Sequence, residues 1–303
     1  MPTLTLGDGI LYFPVTPFDD ADRVDADLLA ELVAARLGHG PGGVFAACGT
    51  GEFHALSVTE YAAAVAAAVS AAGGVVPVIG GAGGPLGHAR ACVDAAERAG
   101  ADGLLVMPPY LVGAPQEGLL AYVRDLASRT ELPLVVYHRG TAQFTPDSVA
   151  RLLELPTVVG IKDGVGDIAL MQQFVRVASA AGRDIRFFNG LLTAELSQAA
   201  YRAIGVPFYS SAAFAMAPEA ADAFFRALED GDREKADALI DGFFSPLVAL
   251  RDEVPGFAVS LVKAGLRLSN PRVGSVRAPL VDPDPGQLAR LAAILERGRL
   301  LAA

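Results

Sequence analysis

Lysine is almost missing from this chain. Of its 303 residues, 24 are Lys or Arg, and the lysines are Lys162, Lys235 and Lys263 alone. Two cysteines, Cys48 and Cys92, exclude a disulfide framework or a cysteine-rich metal cluster, and both read as small core hydrophobes. The four histidines, His39, His54, His88 and His138, have no HExxH or comparable spacing, so no metal is expected. Every apolar stretch is broken by Gly, Pro or a charge before the roughly 18 residues a membrane helix needs. The N-terminus has no basic region followed by an apolar segment, and the expected location is the cytoplasm, with no membrane contact. No Lys/Arg run offsets the net charge of −10, which would repel a phosphate backbone, so nucleic acid is not an expected partner. An anionic ligand would have to be held by local backbone N–H groups, hydroxyls and a few arginines.

What is present is a large apolar fraction, 52%, in a chain of 31.3 kDa, enough for one large core or two modest ones. Short β-rich apolar runs alternate with longer Ala/Leu-rich amphipathic segments at intervals of about 25 to 30 residues, the pattern of repeated βα units and a parallel sheet. Strands are predicted over residues 10–15, 43–47, 75–80, 103–107, 134–137, 158–162, 185–189 and 206–210. Helices are predicted over residues 26–37, 58–72, 86–99, 115–128 and 167–181, with further starts at Thr145-Pro-Asp147 and at the capping-box string Ser57-Val-Thr-Glu60. No GxGxxG follows the first strand, which disfavours a doubly wound sheet. The run Gly80-Gly-Ala-Gly-Gly84 lacks the Lys-Ser/Thr ending of a phosphate loop and reads as a tight strand-to-helix turn. The fold class is therefore α/β, a (β/α)8 TIM barrel over residues 1–217. Residues 218–303 read as a helical C-terminal appendage, with helices over 218–228, 233–250, 257–268 and 285–295 and no linker before it.

In such a barrel the chemistry lies at the C-terminal strand ends, which here are polar: Cys48-Gly-Thr-Gly-Glu52, Tyr137-His-Arg139, Lys162-Asp-Gly164, Asn189-Gly190 and Tyr209-Ser-Ser211. Lys162 ends a core run, where a lysine is either snorkelling into solvent or made nucleophilic by desolvation. Arginine serves elsewhere in the chain but cannot replace an amine that must deprotonate to form a Schiff base. Tyr137 ends the neighbouring strand and could move protons for such chemistry, or could be a strand aromatic capping the barrel. Gly49-Thr-Gly51 offers backbone donors and a hydroxyl to a carboxylate, or is only a turn. Ser210 and Ser211 could line the site or cap the next helix. By strand alternation His138 should point away from Tyr137 and Arg139. Asp167 reads as a helix N-cap, and Glu52 and Asp163 lie near the rim with no spacing that pairs them. Lys235 reads as a solvated helix residue and Lys263 as a cation complementing a helix C-terminus.

Together, Gly9-Ile-Leu-Tyr-Phe-Pro-Val-Thr-Pro-Phe18, Gly49-Thr-Gly-Glu52, the Tyr137 strand and Gly160-Ile-Lys-Asp163 resemble the dihydrodipicolinate synthase and N-acetylneuraminate lyase superfamily, over essentially the whole chain. The strings Lys162-Asp-Gly-Val-Gly-Asp167, Leu192-Thr-Ala-Glu195, Tyr209-Ser-Ser-Ala212, Val259-Ser-Leu-Val-Lys-Ala-Gly265 and Val276-Arg-Ala-Pro-Leu280 resemble its 5-dehydro-4-deoxyglucarate dehydratase branch. The resemblance implies a Schiff base from Lys162 to a 2-keto sugar acid, Tyr137 as proton shuttle, no cofactor, and loss of water and CO2. It also implies that Gly49 and Thr50 hold the keto-acid carboxylate and that Arg139 meets the distal one. Gly190, Tyr209 through its backbone, Ser210 and Ser211 would line the pocket, and the protein would form a homo-oligomer, a tetramer or a dimer. Gly49-Thr50 replaces the synthase's paired hydroxyl residues, Leu111 replaces its second tyrosine, and Tyr137-His-Arg-Gly140 replaces a YNxPxRT string, all of which separate the chain from the synthases. From the dehydratase branch it differs in having His138 for asparagine, Cys48 for glycine and Leu192 for proline. Two other readings remain: an aldolase or lyase using the same imine on another 2-keto acid, and a catalytically silent sensor on the same barrel.

Overall fold

The computed structural model describes residues 3–303. Eight parallel strands close into a barrel in sequence order: β1 (Leu11–Tyr12), β2 (Gly43–Ala46), β3 (Val78–Gly84), β4 (Gly103–Pro109), β5 (Leu134–His138), β6 (Val158–Asp163), β7 (Arg186–Asn189) and β8 (Phe208–Ser211). The first strand is much shorter than predicted because Pro14 and Pro17 have no N–H to give a ladder. Pro77 likewise pushes the start of β3 to Val78, leaving Val75 outside the sheet.

The glycine run 80–84 corrects the sequence reading, because it is strand and not turn. Its small residues admit a bulky neighbour: a Cβ on Gly83 would lie 2.7 Å from Met107 Cβ in the adjacent strand. The barrel interior is a core of its own, built from alternate strand residues that include Leu11, Phe45, Ile79, Leu105, Val135 and Phe188. Residues one position along each strand face outwards and join the larger core beneath the helices.

The connecting helices are α1 (Ala26–Leu37), α2 (Val58–Ala72), α3 (Leu86–Ala99), α4 (Gln116–Ala127), α5 (Pro146–Leu152), α6 (Ile168–Ala180) and α7 (Gln198–Ala203). Their starts follow local chemistry. Asp25, Thr145 and Asp167 cap α1, α5 and α6 through side-chain oxygens, and Ser57 with Glu60 forms the capping box of α2. After β8 come α8 (Ala213–Met216) and α9 (Pro218–Asp230). Glu229 of α9 pairs with Arg202 of α7 at 2.6 Å, and Asp222 of α9 meets His39 beyond α1 at 2.7 Å. Helix α9 therefore bridges the last and first helices of the ring.

The remaining helices are α10 (Arg233–Leu239), a π-helical turn at Ile240–Phe244, α11 (Ser245–Arg251), α12 (Phe257–Ser269) and α13 (Pro285–Ala302). The single helix predicted over 233–250 is interrupted because Pro246 cannot donate to the carbonyl one turn back, and the backbone relieves this with a wider turn. Helix α13 runs past the predicted end, with Gly298 packed against the Phe243 ring. Among the described residues no helix is long and apolar enough to cross a membrane.

Candidate active site

A cavity of about 570 Å³ opens at the C-terminal end of the barrel, and Lys162 stands in its wall. The strand register puts it there: Tyr137 lies opposite Lys162, and Lys162 opposite Phe188, after a register shift between Leu134 and Val135. At 4% exposure the amine is not snorkelling into solvent. Nζ donates to Ser210 Oγ at 3.1 Å and to the Gly190 carbonyl at 3.4 Å, and lies 4.3 Å from the Tyr137 ring centroid and 4.8 Å from that of Phe13. Burial lowers its pKa below that of an ordinary lysine, so more of it is the free, nucleophilic amine at a given pH. Among the described residues no carboxylate is a hydrogen-bond partner of this amine.

Tyr137 hydroxyl donates to the Gly190 carbonyl at 3.0 Å and accepts from Arg139 Nη1 at 2.8 Å. Burial alone would raise the phenol pKa, but the neighbouring cations Lys162 and Arg139 outweigh it and hold the group below the usual phenol range. An amine and a phenol, each held below its usual range, thus share one carbonyl, a suitable arrangement for moving a proton between them. Gly190 is required sterically. A Cβ there would lie 2.5 Å from Lys162 Nζ and 2.6 Å from its Cγ.

Gly49, Thr50, Arg139, Gly190 and Ser210, expected at the site from the sequence, all line the cavity with Lys162 and Tyr137. Tyr209 and Ser211 do not, because strand alternation turns them outwards on either side of Ser210. Tyr209 packs edge-on against Phe224 of α9. Ser211 Oγ donates to the buried Glu195 and accepts from the N–H of Phe214, which matches the capping alternative. His138 faces away from Tyr137 as alternation requires, accepts the Phe144 N–H on Nδ1 at 2.9 Å, and meets the Phe174 ring. Asp163 is also structural: Oδ1 accepts from Val165 N–H at 2.8 Å, and Tyr201 hydroxyl donates to Oδ2.

The reading of Lys263 is corrected. It does not complement a helix end but forms a fully buried ion pair with Glu52 at 2.7 Å, and its Nζ sits 3.8 Å from the Phe18 centroid. Sequence reasoning also missed His54 and the part of the wall given by Gly256, Ala258, Val259 and Leu280. The buried face of α12, with Leu261, Val262 and Ala264 beside Lys263, was the available signal that this lysine is not solvated. Among the described residues no group of three or more His, Cys, Asp or Glu is placed to hold a metal.

The model of the dihydrodipicolinate synthetase family matches residues 7–297. This chain belongs to that family. Among dihydrodipicolinate synthetase family relatives, a probable 5-dehydro-4-deoxyglucarate dehydratase of Streptomyces coelicolor is 49% identical over 98% of this chain and 95% of its own. The 5-dehydro-4-deoxyglucarate dehydratase of Pseudomonas putida is 41% identical over 96% of both. In fold, the dihydrodipicolinate synthase of Oceanobacillus iheyensis superposes with a TM-score of 0.87 over 96% of both chains at 23% identity.

Proposed function

We propose that this chain is a decarboxylating dehydratase converting 5-dehydro-4-deoxy-D-glucarate to 2,5-dioxopentanoate, CO2 and water through a Schiff base on Lys162. The relatives of near-equal length that carry the dehydratase name support the substrate. The single observation that carries the mechanism is a buried, depressed-pKa amine in the wall of the cavity beside a phenol.

Lys162 adds to the keto carbon, and Tyr137 passes the protons needed to expel the carbonyl oxygen as water, leaving a protonated imine. The imine acidifies the adjacent methylene. Loss of that proton gives an enamine, whose electrons expel the hydroxyl one carbon further on as water and leave a conjugated iminium. The bond to the distal carboxylate then breaks, CO2 departs, and the electron pair enters the iminium. Reprotonation and hydrolysis return the lysine and give the keto-aldehyde acid. The imine is the electron sink throughout, so the step needs no cofactor. Gly49 and Thr50 take the carboxylate beside the keto group, Arg139 the distal one, and Gly190 and Ser210 hold the amine in place. Tyr209 and Ser211 support the wall from behind.

Incubation of the purified protein with 5-dehydro-4-deoxy-D-glucarate, following CO2 and 2,5-dioxopentanoate together, tests this. Equal amounts of both are expected. Pyruvate in their place would mean a retro-aldol lyase, and binding without any borohydride-trappable adduct a sensor.

We also propose that the protein is a cytoplasmic homo-oligomer. The exposed apolar run Tyr110, Leu111 and Val112, at 63%, 80% and 61% exposure, supports coverage by a second copy, and light scattering on a purified sample should give a mass of at least two chains. We take residues 1–217 as the catalytic barrel and 218–303 as its helical extension, whose first helix, α9, completes the helical ring.

A further inference from the structure

The Glu52–Lys263 ion pair takes no part in the chemistry above, yet both side chains are completely buried. Glu52 ends the turn that begins at Gly49: its N–H donates to the Gly49 carbonyl at 3.1 Å, and its backbone is left-handed at φ 55° and ψ 38°. Its Oε1 accepts from Lys263 Nζ on α12 at 2.7 Å, and its Oε2 accepts from the backbone N–H of Arg277 at 2.8 Å. Arg277 also donates to the Ala55 carbonyl at 3.0 Å, just past the same turn. Both segments that reach Glu52 also reach the cavity. Val259 lies one helical turn before Lys263, and Leu280 three residues after Arg277.

One carboxylate therefore joins the turn carrying Gly49 and Thr50 to the two C-terminal segments of the cavity wall. Cohesion alone does not explain an ion pair here, since apolar residues of similar volume are often as stabilising or more so. What a buried pair adds is direction, because each oxygen accepts from one fixed donor. Glu52 and Lys263 touch no reacting atom.

We propose that Glu52 and Lys263 are positioning residues, their ion pair holding the Gly49-Thr50 turn where its donors can receive the carboxylate beside the reacting keto group. This rests on the Schiff-base reading of Lys162. The pair thereby sets the preference for 2-keto acids over neutral ketones of the same size.

The test compares pyruvate with hydroxyacetone, which lacks the carboxylate, in borohydride trapping at Lys162. Full-length wild type, Glu52→Gln, Lys263→Met and the double variant are used, with folding checked by circular dichroism and melting. Wild type should trap pyruvate faster. In each folded variant the ratio of the two rates should fall by about 10-fold, the size of one lost hydrogen bond to a charged group, and the double variant should fall no further than the worse single one. Glu52→Gln keeps one acceptor oxygen, and in the double variant that oxygen can still take the Arg277 N–H with no unpaired charge left, so the double variant carries the test if a single variant does not fold. An unchanged ratio in a folded variant overturns the proposal. Absence of any wild-type adduct would instead sink the Schiff-base reading. Pyruvate affinity of the same proteins by calorimetry would then decide the positioning role, with an unchanged Kd overturning it.

Discussion

At the residue scale the site depends on what surrounds one amine. Lys162 is kept neutral more readily by burial, and arginine has no accessible neutral form. Lys162→Ala and Lys162→Arg should both abolish turnover and borohydride trapping, as mass spectrometry would record. Calorimetry should find the melting temperature close to wild type for Lys162→Ala and lowered for Lys162→Arg, which buries a larger permanent charge without a carboxylate. Because the protonated amine is inactive, kcat/KM should fall as pH is lowered through the Lys162 pKa, with an inflection below that of an ordinary lysine. Gly190→Ala would push a methyl group into the space of Nζ and Cγ. A displacement of that order should cost about 100-fold in the trapping rate, with the circular dichroism spectrum unchanged. Lys162 was legible in the sequence because lysine is so rare here and because it ends an apolar run. Gly190 was legible as a strand-end residue, but the contact that makes it irreplaceable comes from a side chain on the neighbouring strand.

At the scale of elements, strand alternation decides which polar residues become site and which become support. Ser210 faces the amine, while Ser211 is turned to Glu195 in the short helical turn Ala194–Leu196 that follows β7. Burial pushes the Glu195 carboxyl up from 4.5 to about 7, against the smaller opposite effect of the Ser211 hydroxyl. The folded state thus binds more protons than the unfolded chain between those values, and the contribution of Glu195 to stability declines as pH rises through that window. Glu195→Gln removes the titration. Its melting temperature relative to wild type should climb between about pH 4.5 and 7 and level off above, a difference that a series of thermal scans would detect. Element positions were largely legible from periodicity and caps. The errors cluster where proline removes a donor, at β1, β3 and the π-helical turn, or where glycines serve strand packing and not a turn.

At the scale of the whole molecule, the C-terminal helices complete the barrel both mechanically and chemically. They contribute Lys263 to a buried carboxylate of the barrel and Ala258, Val259 and Leu280 to the cavity. A chain ending after Asp230 would lose Lys263, the Arg277 N–H and the buried face of α12 together, uncovering the apolar surface on which that helix packs. Such a truncated protein should fail to give a cooperative melting transition, whereas the Glu52→Gln/Lys263→Met variant of the full chain should retain one. A cooperative transition in the truncated protein would show that the barrel stands without its extension.

The sequence by itself determined the barrel, through the alternation of short apolar runs with amphipathic helices. It also determined the amine and phenol at adjacent strand ends, because strand order and strand ends follow from local pattern. Only the tertiary structure decided the role of Lys263 and Glu52, which stand 211 residues apart and meet where a C-terminal helix packs on a barrel turn. Local pattern carries no record of such a pairing. The same is true of the cavity's outer wall, since which face of α12 meets the barrel depends on packing among elements distant in the chain.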